Sequence, residues 1–292
     1  MKNLLKLRNV RRVAQVFFFT LFLFFVFVTD LRYLKGYPVS LFLELDPLVA
    51  FATAITTHTV YMGLMWSLLL IIPTVLFGRI FCNWICPYGI LHHFTGWLLG
   101  KRRAEERERI EANRYKNLYS LKYVILIAMI AAAIGGTLQI GWLDPICLFH
   151  RSMTTVILPM INLFVPSSIY VRQYFHVGAW VIGFMLLFLV GMNVIIPRFF
   201  CRVLCPLGAF LGTLSVASLW RIDRDPDKCV DCDLCLKNCE GASDPHTQLR
   251  KSECFVCFNC IEDCPESAIS FKFMPQAKRE ATPPATAAER QK

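Results

Sequence analysis

The sequence contains no Cys-x-x-Cys-His, so covalent c-type haem is not expected in spite of thirteen cysteines. Charge is scarce. Asp, Glu, Lys and Arg make up 18% of the 292 residues against 55% hydrophobic residues, with 24 Phe and a mean hydropathy of +0.48. This excludes an ordinary soluble protein and points to helices solvated by lipid. Acidic residues are the scarcest where the chain is most apolar. The first 220 residues hold eight Asp/Glu against twenty Lys/Arg, and residues 1–12 hold five basic side chains and no acid. Such an excess suits anionic lipid and gives no reason to expect nucleic acid. No small-x-small cleavage site precedes Asp30-Leu31-Arg32, so the Phe-rich run 13–29 is expected to be a membrane span with its amino end inside, not a signal peptide.

The strongest positive signal lies near the other end. Cys229-x2-Cys232-x2-Cys235-x3-Cys239 is followed by Cys254-x2-Cys257-x2-Cys260-x3-Cys264-Pro265. In such runs three thiolates grip one cubane and the fourth reaches to the other. Cys229, Cys232, Cys235 and Cys264 are therefore expected to hold one 4Fe-4S cluster, and Cys254, Cys257, Cys260 and Cys239 a second. A zinc site or a disulfide framework rarely repeats three thiolates at this spacing. Trp220-Arg221-Ile222-Asp223 and Ala268-Ile269-Ser270-Phe271-Lys272-Phe273 alternate as half-buried strands do, which predicts a small α+β ferredoxin-like domain. Cluster assembly needs a reducing compartment, so this domain should face the cytoplasm. Residues 221–273 carry seven Lys/Arg and eleven Asp/Glu, so a docking partner should be basic. Cys239 lacks the proline that follows Cys264, which predicts a looser turn there.

Four spans are expected in all, at 13–29, 60–81, 123–140 and 177–197, with Pro73 kinking the second. The broken apolar stretch 39–57 is too interrupted to span and should lie at the interface or re-enter. The chain then divides into a first membrane repeat (1–98), a basic cytoplasmic linker expected to be helical (99–122), a second membrane repeat (123–219), the two-cluster domain (220–274) and a disordered tail (275–292). Both ends should be cytoplasmic.

The membrane halves look like copies. Leu45-Asp46-Pro47-Leu48 and Phe81-Cys82-Asn83-Trp84-Ile85-Cys86-Pro87-Tyr88-Gly89 in the first match Leu143-Asp144-Pro145-Ile146 and Phe200-Cys201-Arg202-Val203-Leu204-Cys205-Pro206-Leu207-Gly208 in the second. Two repeats of the same orientation imply a parallel duplication about an axis along the membrane normal. Cysteines four apart share a helical face, so Cys82, Cys86, Cys201 and Cys205 could converge on a soft metal or redox centre, or simply pack at proline-terminated helix ends. Arg79 and Arg202 could neutralise the nearby thiolates or bind lipid headgroups, with ordinary positive-inside anchoring the favoured reading; His92 and His93 read as interfacial residues, and Cys147 as structural.

Spans with duplicated C-x3-C-P followed by paired cluster motifs resemble the NapH-type ferredoxin family over nearly the whole chain. NosR and CcoG proteins share this core. The resemblance implies an electron-transfer component of a quinol dehydrogenase in the bacterial inner membrane. Its electrons would go to periplasmic nitrate reductase through a NapG-like ferredoxin or a NapC-like tetrahaem cytochrome. The alternative is a CcoG-like, copper-reducing factor for oxidase assembly. No quinone motif is recognisable. Quinol oxidation releases protons, which makes Asp46 and Asp144 candidate acceptors, with His58 and His150 beside them, although Asp-Pro also starts turns.

Overall fold

The computed structural model describes residues 7–28, 41–59, 62–98, 105–164, 178–247 and 249–273. The sequence readings that fall on 1–6, 29–40, 99–104, 165–177 and the tail from 274 lie outside the described residues. The chain opens on α1 (Leu7–Val28), whose Val13, Val16, Phe17 and Phe24 point outward while Arg11 and Gln15 are buried. This is the reverse of a soluble helix, and it is what lipid demands of one.

Helices α2 (Leu41–Glu44) and α3 (Pro47–Thr57) follow. Proline at the first position of α3 costs no hydrogen bond, and Asp46 caps it by accepting from the Leu48 and Val49 amides at 2.9 and 3.3 Å. Next come α4 (Leu68–Phe77), α5 (Phe81–Trp84), α6 (Pro87–Leu98) and α7 (Glu106–Ala112), the last within the linker expected to be helical. In the second half come α8 (Leu121–Ile134), then α9 (Pro145–Ser152) with Asp144 capping it through the Ile146 and Cys147 amides at 2.9 and 3.0 Å, α10 (Leu158–Phe164), α11 (Ala179–Gly191), a π-helical turn Phe200–Leu204, and α12 (Pro206–Ser215).

Two helical stretches, Leu7–Val28 and Glu106–Ile134, are long and apolar enough to cross a membrane by length and composition. The other two expected spans fall on shorter helices, since α4 has 10 residues and α11 has 13. Apolar side chains nevertheless cover their outward faces, among them Leu69, Ile72, Trp180, Phe184 and Leu187. Together with the relatives described below, these features mark a membrane protein.

Each half leans on the other. α3 packs on α8 and α12, while α9 packs on α6 and α11. The shared core is aromatic: Phe22 stacks on Phe149 at 5.2 Å between ring centres, and Tyr88 meets Phe200 edge-on at 4.8 Å. The cysteine-rich domain follows directly, closed by an antiparallel pair of β1 (Trp220–Arg224) and β2 (Ile269–Phe273), with Ile222 opposite Phe271, and carrying the short helix α13 (Asn259–Asp263).

Candidate functional site

The two cysteine motifs take one shape twice. Asp231 and Asp233 in the first, and Val256 and Phe258 in the second, have φ between 48 and 60° at matching offsets from the first cysteine, and Ala242 and Ser267 match in the same way after the fourth. A β-branched valine in the left-handed region costs roughly 1–3 kcal/mol and persists only where surroundings over-determine it. A loop wound around a compact group is such a case. Cys229, Cys232, Cys235 and Cys264 line one small cavity. Cys239 stands within electrostatic range of Cys254, Cys257 and Cys260. Burial, reinforced by neighbouring thiols, pushes Cys235 and Cys254 up to about 12, so these sulfurs need a cationic partner to ionise near neutrality. Iron would supply one, and the donor set fits two cubanes.

The turn after Cys239 is not loose. The Ser243 amide donates to the Cys239 sulfur at 3.5 Å, as the Ala268 amide does to Cys264 at 3.3 Å. In place of proline, Glu240 is clamped by Arg198 at 2.6 Å and His93 at 3.0 Å. Burial acts to raise the Glu240 pKa, but the Arg198 guanidinium, with the hydrogen bond to His93, outweighs it and holds the carboxyl well below its usual range.

The surface anchoring favoured for Arg79 and Arg202 is corrected, whereas the alternative of a cation beside the thiolates agrees with Arg79, whose guanidinium meets the Cys82 sulfur at 3.9 Å. Both arginines are fully buried, and with Arg11 and Arg198 they seat the cysteine-rich domain on the membrane part. Arg11 Nη1 donates to the Cys257 carbonyl at 2.8 Å, Arg202 Nη2 to the Cys239 carbonyl at 2.8 Å, and Arg79 Nη1 to the Ser252 carbonyl. Asn113 and Trp84 add bonds to the Leu236 and Val256 carbonyls. Glu253 is buried against Arg79, Lys122 and the Tyr123 hydroxyl. The interfacial reading of His92 is also corrected, since it is fully buried between Tyr88 and Phe200.

Beneath this seat the four C-x3-C-P cysteines lie near one another, although among the described residues no three of them are placed to hold a single metal ion. Cys82, Cys86, Cys201 and Cys205 are all buried, and each lies within electrostatic range of others across the two halves. The Gly89 and Gly208 amides donate to the Cys86 and Cys205 sulfurs at 3.4 and 3.1 Å. A Cβ at Gly89 would stand 2.5 Å from the Cys82 carbonyl oxygen, and one at Gly208 would stand 2.8 Å from Arg79 Nη2, which explains the glycine in each P-x-G. Arg79 spans two levels, with its guanidinium beside Cys82 and Cys205 below and bonded to Ser252 above. Deeper still, Asp46 and Asp144 are wholly buried and their carboxyls meet. Each spends one oxygen on its helix cap and leaves the other, Asp46 Oδ2 and Asp144 Oδ1, without a donor. Asp144 also lies within electrostatic range of Cys86 and Cys147. His58 is exposed at the end of α3, and His150 is partly buried near Phe22, so neither joins the aspartates.

The family model described as "4Fe-4S binding domain" matches twice, over residues 59–104 and 177–223, the stretches that carry the two C-x3-C-P elements. Ferredoxin-type protein NapH of Escherichia coli is 24% identical over 281 residues, covering 89% of this chain and 87% of that protein. The chain is an iron–sulfur electron-transfer protein related to NapH and NosR. An uncharacterized protein of Methanocaldococcus jannaschii, MJ0750, is 25% identical over 92% of this chain and 97% of its own length. The regulatory protein NosR of Pseudomonas aeruginosa is 25% identical over 70% of this chain but only 28% of its own length. No solved structure matches.

One signal could have exposed two of the buried arginines beforehand. Arg79 and Arg198 each stand three residues before the first cysteine of a C-x3-C-P element, a repeated offset that simple lipid anchoring does not require.

Proposed function

We propose that this chain is the membrane subunit of a quinol-oxidising complex and sends electrons toward periplasmic nitrate reductase through a NapG-like ferredoxin or a NapC-like cytochrome. Cys229, Cys232, Cys235 and Cys264 hold one 4Fe-4S cluster in this reading, and Cys254, Cys257, Cys260 and Cys239 the other. The clusters supply reversible one-electron transfer. What carries the reading is a line of sites: the exposed Cys232 loop, the Cys239 set, the four C-x3-C-P cysteines beneath Arg79, and the facing aspartates. The matched Asp-Pro caps and Gly-to-cysteine bonds support a parallel duplication, and the outward apolar faces of α4 and α11 support four spans with the cluster domain in the cytoplasm.

Quinol becomes quinone by giving up two electrons and two protons. Asp46 and Asp144 suit the proton side, because a proton placed between their two donorless oxygens satisfies both, and a carboxyl pair of this kind takes up and passes on protons singly. Cys82, Cys86, Cys201 and Cys205 are the soft donor set for a further metal or redox centre between that pair and the cytoplasmic clusters. Arg79 positions this set, holding its charge against the Ser252–Glu253 loop. No feature of the site favours copper handling over this reading.

The test is anaerobic reduction of the clusters by a quinol in the purified chain, compared with Asp46→Asn and Asp144→Asn. General-base groups contribute about 10²–10⁴ in rate, so the double variant should slow reduction at least tenfold with iron content unchanged. Failure of quinol to reduce the wild-type clusters, or an unaltered rate in the double variant, defeats the proposal.

A further inference from the structure

Between the first turns of α1, the linker helix α7, the Pro197–Arg202 segment and the Cys239–Glu240 turn lies a cavity of about 370 Å³. Seven cationic side chains line it: Arg8, Arg11 and Arg12 from α1, Arg109 from α7, Arg198 and Arg202, and Lys237. Glu240 is the one carboxylate on the wall. Behind the wall, Arg8 is paired with Glu262 and Asp263, and Lys237 with Glu106, while Arg198 takes Glu240. Arg11, Arg12, Arg109 and Arg202 have no carboxylate at ion-pair distance among the described residues. Arg11 and Arg202 are spent partly on backbone carbonyls, and Arg109 bonds to Asn238.

Two guanidinium donors on this wall are buried with neither a hydrogen-bond nor an ion-pair partner, Arg11 Nε and Arg198 Nη1, on side chains that are 1% and 2% exposed, and the ring nitrogens of His92 on the same wall are likewise unpartnered. An orphaned donor on a buried guanidinium costs several kcal/mol unless something accepts from it. No acceptor among the described residues does so here. The surplus of cations, the forked donors and the two orphaned N–H groups all call for one kind of ligand, an anion with several acceptor oxygens. The depth of the cavity narrows it further. Arg8, Arg11 and Arg12 immediately precede the outward apolar run that begins at Val13, and Trp97, whose ring is half exposed, stands at the rim, so the cavity lies at the level of lipid headgroups.

We infer that this cavity is a binding site for a phosphoryl anion, either the headgroup of an acidic phospholipid or a free phosphorylated molecule. Its cations come from α1, from the linker and from both sides of the seat, so the bound anion ties the cysteine-rich domain to the membrane part. This site is independent of which donor feeds the clusters.

The experiment uses the full cluster-loaded chain in zwitterionic detergent after delipidation. Thermal unfolding and hydrogen exchange at α7 and at residues 239–243 are followed on titration with phosphatidylglycerol, phosphatidylcholine, inorganic phosphate and pyrophosphate. Arg12→Gln and Arg109→Gln serve as variants because neither residue touches a cysteine loop carbonyl. Stabilisation by phosphatidylglycerol and not by phosphatidylcholine or the free anions assigns a lipid headgroup. Stabilisation by pyrophosphate or phosphate at the same sites assigns a soluble phosphoryl ligand. In either case the double variant should weaken binding about tenfold or more, the scale of a lost charge-assisted hydrogen bond. Absence of any anion-specific response, or equal binding by the wild type and the double variant, overturns the inference.

Discussion

Replacing Glu253 by alanine should release the cysteine-rich domain from its seat. The carboxylate lies 3% exposed between two cations that are themselves wholly buried, Arg79 at 3.7 Å and Lys122 in direct contact, and it accepts from the Tyr123 hydroxyl at 2.9 Å. Arg79 keeps the Ser252 carbonyl after the change, but Lys122 keeps nothing charged. Removing one partner of a buried pair costs about 3–5 kcal/mol, because the other charge stays buried without compensation. That is a factor of about 10² to 10⁴ in the docking equilibrium. Hydrogen exchange at the Cys254–Cys260 loop, measured with the clusters intact, should therefore rise by about two to four orders of magnitude. Lys122→Met combined with Glu253→Ala removes the stranded charge and should recover most of the protection, since apolar replacement of a buried pair is often neutral. If Glu253→Ala exchanged as slowly as the wild type, or if the double variant exchanged as fast as the single one, the ion pair would not be what holds the seat.

Cys86→Ser and Cys205→Ser should each abolish the same bound metal or quinol-dependent electron transfer, with the double variant no worse; additive partial losses at equal membrane abundance would show two independent packing thiols. Cys257→Ser should remove one cluster from a wild-type content of about eight irons and leave the other at least partly assembled, as read by iron analysis and electron paramagnetic resonance. Because the folded Glu240 carboxyl sits well below its unfolded value of about 4.3, its contribution to docking is present in full above that value and is lost as pH falls through the depressed folded one. Protection of residues 239–243 should thus hold from neutral pH through the ordinary carboxylate range and fail only in stronger acid, whereas Glu240→Gln should start less protected and lack that acid-side loss.

The parts of this molecule that were legible in the sequence are those whose chemistry is local. Cluster-type cysteine spacing fits within ten residues, and the strands at Trp220–Arg224 and Ile269–Phe273 announce themselves by alternation. The Asp46 and Asp144 pair could be suspected from the repeated Asp-Pro, but the meeting of their carboxyls depends on α3 packing against α8 and α12 and on α9 packing against α6, contacts between halves that no window of sequence contains. Hydropathy ran long where the backbone does not. The stretch around Pro73 stays apolar throughout, so its division into a 3-10 turn Met62–Ser67 and the short α4 leaves no trace in the average. Arginine was misjudged for a related reason. A basic residue at the end of an apolar run has the same local signature whether it snorkels to lipid or turns inward to grip a buried carbonyl.

Beside the carboxylates of Glu240 and Glu253, the membrane part holds its redox domain by main-chain oxygens, among them those of Leu236, Cys239, Ser252, Val256 and Cys257. Carbonyls are the same in every residue, so that share of the recognition responds to the course of a polypeptide and not to its side chains. The exposed positions of the cysteine-rich domain are correspondingly free to change, and with them its surface charge and its choice of soluble partner, while the spacing to the sulfurs beneath stays fixed. A foreign domain that follows the same doubled cysteine path, with glutamates kept at 240 and 253, should settle onto this seat as a ready-made replacement.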